Sequence, residues 1–206
     1  VGGNGTKYDS KNPRDYTYAH IDGGSLNPGY LTRKGSSVIE AEPYAVLSDD
    51  NKTLTFYYDE NKEANNGMGV GPFTFDNGVN SGWYNNRESI QTVVFDESFA
   101  NYHDLTSTAY WFYYFLHLKT ITGIENLNTE NVTDMRSMFF DCASLTTLDL
   151  SHFDTSNVLH MDEMFGSCVE LANLNVTKFN TSKVQTMSGM FETCLSLTSL
   201  DLSNFD

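Results

Sequence analysis

A recurring unit of about 26 residues constrains this chain more than any other sequence feature. The three cysteines, Cys142, Cys168 and Cys194, stand at a constant spacing of 26 residues. An odd, evenly spaced set of cysteines is a poor disulfide framework, and equal spacing indicates one structural position used three times. The segment Leu145–Leu150 follows a Leu-x-x-Leu-x-Leu pattern that returns at Leu171 and Leu197. The chain is therefore predicted to stack similar units side by side, because one such unit cannot bury its apolar face alone.

Apolar side chains occupy fixed columns of this repeat. Six of the seven methionines and three phenylalanines share three columns, which are Met135/Met161/Met187, Met138/Met164/Met190 and Phe139/Phe165/Phe191. Fainter copies lie upstream at spacings of 26 to 28 residues, with one residue inserted near Gly123. We count four units, beginning near residues 90, 118, 145 and 171, and the opening of a fifth at Leu197. The Met, Phe and Cys columns are predicted to be core rather than a cofactor pocket or a redox site, because no partner residue repeats beside them.

Each unit is predicted to contain a short strand followed by a short helix. Leu148 and Leu150 alternate with polar residues, as in a half-buried strand. Farther along the unit, Val132, Met135 and Met138 fall at helical spacing. The spacing of apolar residues switches from every 2 positions, as in a strand, to about every 3.6 positions, as in a helix. Each unit is therefore predicted to be a strand, a turn and a helix.

The repeat resembles that of the BspA-like leucine-rich-repeat family of bacterial surface proteins. The match runs from Leu145-Thr-Thr-Leu-Asp-Leu-Ser-His-Phe-Asp-Thr-Ser-Asn-Val158 through Met161, Met164 and Phe165 to Cys168. The resemblance also includes Ile121–Leu127 and Ser107–Phe112, and it covers roughly residues 40 to 206. It implies an α/β leucine-rich-repeat solenoid, with a parallel sheet on the concave side and short helices on the convex side. It further implies an exported bacterial protein on the cell surface, associated with adhesion, and it supplies no catalytic residues.

The first part of the chain has a different character. All twelve tyrosines precede residue 118, and 12 of the 15 glycines precede residue 90. Tyr44–Leu47 and Leu54–Tyr58 flank a polar segment and predict a β-hairpin. We therefore expect an extended lead-in over 1–38, a β-rich N-terminal cap over 39–89 and the repeats over 90–206. Trp83 and Tyr84 could stack on a sugar, but core of the cap is the favoured interpretation.

The strand positions that point away from the core form the candidate ligand-binding face. They are small and polar in all three copies, and they are Thr147, Asp149, Ser151, Asn173, Asn175, Thr177, Ser199, Asp201 and Ser203. One interpretation is a hydrogen-bonding face for a protein or a glycan. The other is a solvated sheet face, since these residues include few of the anchors that dominate interfaces.

Charge and motifs exclude several functions. The chain carries 27 acidic and 12 basic residues, a formal charge of −15, which disfavours nucleic acid and anionic membrane surfaces. The sequence contains no run of about 18 apolar residues, the length that predicts a membrane-spanning segment. The five histidines fall in no column, and no nucleophile elbow, phosphate loop or metal-ligand spacing is present. We therefore predict no catalytic residues, no metal and no cofactor.

The sequence thus predicts a non-enzymatic surface protein that binds a host or bacterial surface protein or a glycan. A structural stalk that displays another domain is the alternative, favoured by the bland polar face. An enzyme with its site in the N-terminal aromatic region is a third hypothesis, which no residue constellation supports. Because Leu197–Asp206 opens a unit without completing it, further repeats are expected after Asp206.

Overall fold

The computed structural model describes residues 20–22, 28–30, 40–76 and 78–205. The chain divides into two units, Val1–Glu40 and Ala41–Asp206. In the first unit, strands β1 (His20–Asp22) and β2 (Pro28–Tyr30) pair in antiparallel fashion. The rest of the predicted lead-in over 1–38 lies outside the described residues.

The second unit begins with the predicted hairpin, which is confirmed. Strands β3 (Glu42–Leu47) and β4 (Thr53–Asp59) are antiparallel, and Leu47 pairs with Leu54. The polar turn between them closes with a hydrogen bond from the Ser48 N–H to the Thr53 carbonyl oxygen at 2.9 Å. Leu54 and Phe56 of β4 alternate in burial, as period-2 patterning requires, whereas Tyr44 and Ala45 of β3 are both fully buried.

The hairpin and the first repeats share one sheet. Strand β5 (Thr92–Phe95) pairs in parallel with β4, and β6 (Thr120–Thr122) pairs in parallel with β5. The four strands follow the order β3-β4-β5-β6. Short 3₁₀ helices at Tyr84–Asn86, Glu97–Asn101 and Ile124–Asn126 connect these strands to the turns that follow. Gly123, where the sequence shows an inserted residue, adopts a φ of 68°, and a Cβ there would lie 2.2 Å from the Phe95 carbonyl oxygen.

A second, two-stranded sheet is built from the Leu-x-x-Leu-x-Leu segments. Strands β7 (Thr147–Asp149) and β8 (Asn173–Asn175) are parallel, and Leu148 pairs with Leu174 in the 26-residue register. Leu148 and Leu150 are buried while Thr147 and Asp149 are exposed, which confirms the predicted alternation. The third copy, around Ser199–Asp201, forms no strand.

The predicted fold class, a leucine-rich-repeat solenoid with a parallel concave sheet and convex helices, is wrong. The described residues are mainly short strands and turns, they contain 3₁₀ helices but no α-helix, and their strands form small mixed sheets. Of the positions predicted as a helix, Val132 and Met135 lie in irregular chain and Met138 lies in a turn. Ser137 and Asp141 have φ values of 50° and 57°, and an α-helix cannot pass through left-handed residues at every fourth position.

Hydrogen bonds between neighbouring repeats replace the bonds that a helix would form internally. In one repeat the alternate N–H groups of Met135, Ser137, Phe139 and Asp141 donate at 2.8 to 2.9 Å to the carbonyl oxygens of His160, Asp162, Met164 and Gly166. Single parallel bridges join Ser107, Asp134, His160 and Thr186 in the same direction. The backbone groups are therefore satisfied across the repeats, and the turns stay buried without helical bonding.

Identical side chains pack against one another in the interior. Phe139 stacks on Phe165 with ring centroids 5.7 Å apart, and Phe165 stacks on Phe191 at the same distance. At the hairpin end, the Phe56 ring stacks on Trp111 at 5.0 Å and meets Trp83 edge to face at 5.5 Å. Trp83 is fully buried, which confirms its assignment to the core rather than to a sugar platform.

Candidate functional site

The predicted ligand-binding residues lie together beside strands β7 and β8. An open depression of about 620 Å³ is lined by six of them, which are Thr147, Asp149, Asn173, Asn175, Ser199 and Asp201. Ala172 and three leucines complete the lining. Residues 50 positions apart in the chain therefore contribute to one surface.

The remaining three predicted residues, Ser151, Thr177 and Ser203, are not part of the lining. Each instead follows an acidic or amide residue of the middle column by two positions and donates to it. The Ser151 N–H donates to Asp149 Oδ1 at 3.0 Å, and the Ser203 N–H donates to Asp201 Oδ1 at 2.9 Å. These are Asx-type turns, in which a side chain takes the role of a backbone acceptor.

The amide of the middle column makes the same turn. Asn175 Oδ1 accepts from the Thr177 N–H at 3.2 Å and from the Thr177 hydroxyl at 2.8 Å. The repeated Asp, Asn and Asp of this column therefore have a structural role at the end of each strand. Sequence reasoning missed this role, although a Ser or Thr two residues after each Asp or Asn is the signal for it.

The carboxylates in the depression are ionised at neutral pH. The backbone hydrogen bond from Ser151 lowers the pKa of Asp149, and the backbone hydrogen bond from Ser203 lowers the pKa of Asp201. The face thus offers two negative charges and neutral hydroxyl and amide groups. Such a surface can exchange hydrogen bonds with the hydroxyls of a sugar or the polar groups of a peptide.

The cysteines occupy one repeated environment in the interior. Each thiol donates to a carbonyl oxygen of the preceding repeat: Cys142 to Phe112 at 3.3 Å, Cys168 to Phe139 at 3.1 Å and Cys194 to Phe165 at 3.1 Å. Burial raises the pKa of Cys142 well above its usual range and that of Cys168 to about 12. All three are free thiols, and Cys194 is the least buried. They pack as small apolar residues, as the sequence predicts.

A cluster of aromatic rings on the surface was not predicted. Tyr113 contacts four other rings, which are Phe75, Tyr110, Tyr114 and Phe140, at centroid distances of 4.6 to 5.8 Å. Phe75 is 48% exposed and Tyr114 is 36% exposed. The signal available in the sequence was the pair of tyrosines in columns where later repeats carry small or charged residues.

In the described part of the chain, no group of three or more His, Cys, Asp or Glu side chains is arranged to hold a metal ion. Among those residues, no helix has the length and apolar content needed to cross a membrane.

These features define a β-rich protein built on a recurring unit with an open polar face. The chain belongs to the family described as "Mycoplasma protein of unknown function, DUF285", which matches residues 101–206. Comparison with curated proteins and with solved structures found no match. The resemblance to BspA-like proteins stays a prediction.

Proposed function

We propose that this is a non-enzymatic bacterial surface protein that binds a surface protein or a glycan through the depression beside β7 and β8. The observation that carries the proposal is the convergence of polar side chains from three repeats on one open surface of about 620 Å³. Open, polar and shallow geometry suits an extended ligand better than an enclosed small molecule, since small-molecule sites bury most of their ligand. Display outside the cell follows from the resemblance of the repeat and belongs to the same proposal.

The test uses the full chain against a glycan array and a panel of host-matrix proteins. A triple variant, Thr147→Lys, Asn173→Lys and Ser199→Lys, fills the depression and leaves the Asx turns intact. We expect its binding to fall at least about tenfold, which corresponds to about 1.4 kcal/mol. The matched control places three lysines at exposed positions elsewhere, with Ala64→Lys, Ala100→Lys and Thr106→Lys.

Three results would contradict the proposal. One is silence of the unmodified chain on both arrays, and another is equal binding by the depression variant and the control. The third concerns location: antibodies that label permeabilised but not intact producing cells would place the protein inside the cell.

A structural stalk that displays another domain is a second candidate function. It is favoured by the Asx turns, because Asp149, Asn175 and Asp201 already serve the repeat itself. The two candidates differ in the array experiment, since a stalk predicts no specific binding by residues 1–206.

A further inference from the structure

Five aromatic residues form a surface patch in which Phe75 and Tyr114 are exposed and the other three rings are partly buried. This aromatic patch consists of Phe75, Tyr110, Tyr113, Tyr114 and Phe140. The Tyr113 ring is its centre: it stacks on Phe140 at 5.2 Å, and its edge contacts with Tyr114 and Phe75 are at 4.6 and 5.4 Å. Other rings of this part of the chain, such as Phe56 and Trp111, are fully buried. Aromatic rings are thus divided between a core cluster and a surface cluster.

Equivalent positions in later repeats show that the fold does not require the rings of Tyr110 and Tyr114. The position of Tyr114 is held by Asp141, Ser167 and Thr193, and that of Tyr110 by Ser137, Glu163 and Gly189. The backbone is the same at each position: Tyr114, Asp141 and Ser167 all have φ between 57° and 61°, and each N–H donates to the following repeat. The turn forms equally well without a ring.

The two tyrosines are also placed at an unfavourable backbone conformation. Tyr110 and Tyr114 have φ values of 63° and 61°, in the left-handed region that a bulky residue rarely occupies. The same conformation recurs at Ser137 and Glu163, so it belongs to the repeat and not to the tyrosines alone. What sets this repeat apart is that bulky rings occupy positions where the later repeats carry small or charged side chains.

The charges around the patch select the kind of partner. Asp134, Asp162 and Glu163 all lie close enough to act electrostatically on Tyr110, against one cation, Arg136. That cation is already neutralised by Asp134, whose Oδ2 accepts from Arg136 Nη2 at 2.6 Å. Within the described residues, Asp162 and Glu163 form no ion pair of their own beside the rings, in a chain whose formal charge is −15.

The central ring of the patch, Tyr113, stays neutral under ordinary conditions. Desolvation raises the pKa of Tyr113 to about 12, with Tyr114 and Glu163 adding to the effect. A neutral ring keeps a negative face that attracts cations, and nearby carboxylates add to that attraction. Both effects favour a positively charged group over the exposed rings.

We propose that the aromatic patch binds a lysine- or arginine-bearing segment of a partner protein. The cationic side chains lie over the exposed Phe75 and Tyr114 rings, and Asp162 and Glu163 supply the opposite charge. This site is separate from the depression beside β7 and β8 and does not depend on the function proposed for that depression.

The test measures binding of the full chain to a synthetic peptide of arginine–glycine repeats. The matched probe replaces every arginine with citrulline, which keeps the shape and removes the charge. The test variant combines Phe75→Ser and Tyr114→Ser, which leaves the net charge unchanged and places at residue 114 the residue type found at 167. The control variant, Leu195→Ser, removes a side chain that is 76% exposed and lies outside the patch.

We expect the unmodified chain to prefer the arginine peptide and the double variant to bind it about tenfold more weakly, since two exposed ring–cation contacts are lost. The control variant should bind as the unmodified chain does, and the urea midpoints of all three should agree. Equal binding by the double variant would show that acidic charge alone attracts the peptide and would overturn the proposal. Absence of a preference for arginine over citrulline would overturn it too. Capture of a neutral glycan that the same double variant abolishes would assign the patch to carbohydrate instead.

Discussion

The repeat at residues 107–118 and the repeat at residues 134–145 follow the same backbone path with different side chains. Both place alternate N–H groups on the next repeat, and both turn through left-handed residues at equivalent positions. Inside, the first carries Trp111 and Phe115 where the second carries Met138 and Cys142. The larger side chains lie beside the hairpin sheet, where they fill the space around Phe56.

The difference between these two repeats separates positions whose side chains are fixed by interior packing from positions whose side chains can vary. The phenylalanine column does not change, because each ring packs against the ring of its neighbour. The outward positions change from tyrosine to aspartate, serine and glutamate without moving the backbone. Interior residues are set by the adjacent repeat, and exterior residues are available for binding.

The largest effect is expected from removing an interior ring. Phe139→Ala should lower the free energy of unfolding by about 3–5 kcal/mol, because the Phe139 ring lies between Phe112 and Phe165 and its loss leaves a cavity. Urea denaturation monitored by tyrosine and tryptophan fluorescence measures it. The matched control is the next residue, Phe140→Ala, on the outward side. Equal losses at the two positions would remove the distinction between interior and exterior.

The buried thiols predict a loss of stability at alkaline pH. The folded state holds Cys168 protonated up to about pH 12, whereas an unfolded thiol ionises from about pH 8.5. The folded pKa is raised, so the contribution is fully present below the unfolded pKa and is lost as pH rises. Each buried thiol should lower the unfolding free energy by up to about 1.4 kcal/mol per pH unit over this interval.

Urea midpoints between about pH 8 and about pH 9 measure this slope, a range below the ordinary tyrosine pKa of about 10. Cys142→Ala and Cys168→Ala together should make the unfolding free energy depend less steeply on pH. Cys194, which is only half-buried, supplies the comparison, because Cys194→Ala should change the slope less. An unchanged slope in the double variant would mean that the thiols are not the titrating groups.

A smaller effect is expected at Gly189, the left-handed glycine of the fourth unit. Gly189→Ala should lower the unfolding free energy by about 1 kcal/mol, because φ at this residue is 64° and an added Cβ would approach Glu192 Oε2 to 3.1 Å. Gly69→Ala is the control, since Gly69 has open space around it and no positive φ. Thermal unfolding of both variants tests the comparison. No difference between them would indicate that the turn at residue 189 tolerates side chains as freely as an ordinary loop does.

The sequence predicted the interior better than the path of the backbone. The 26-residue register, the hairpin, the alternation along β7 and the burial of Cys142 and Cys168 follow from spacing and apolar patterning, and the structure confirms them. The helix and the solenoid fold class were wrong. Met135, Met138 and Phe139 fall at helical spacing, but a series of turns with left-handed residues at Ser137 and Asp141 buries the same three side chains.

The candidate site likewise has a part that the sequence predicted and a part that only the structure showed. Polar alternation alone located the exposed columns, and six of their nine residues line one depression. The Asx turns and the aromatic patch depended on distances that spacing does not supply. Phe75 reaches Tyr113 from 38 residues away, and no periodic pattern links the two.

The amino-acid sequence by itself determined which side chains are buried and which repeat neighbours which, because both depend on apolar residues recurring at a constant interval. Only the tertiary structure decided how the backbone runs between them. Serine, aspartate, glutamate and tyrosine all occupy the left-handed positions here, so residue type alone does not mark them. Their conformation is stabilised by hydrogen bonds to the neighbouring repeat, which exist only once the repeats have come together.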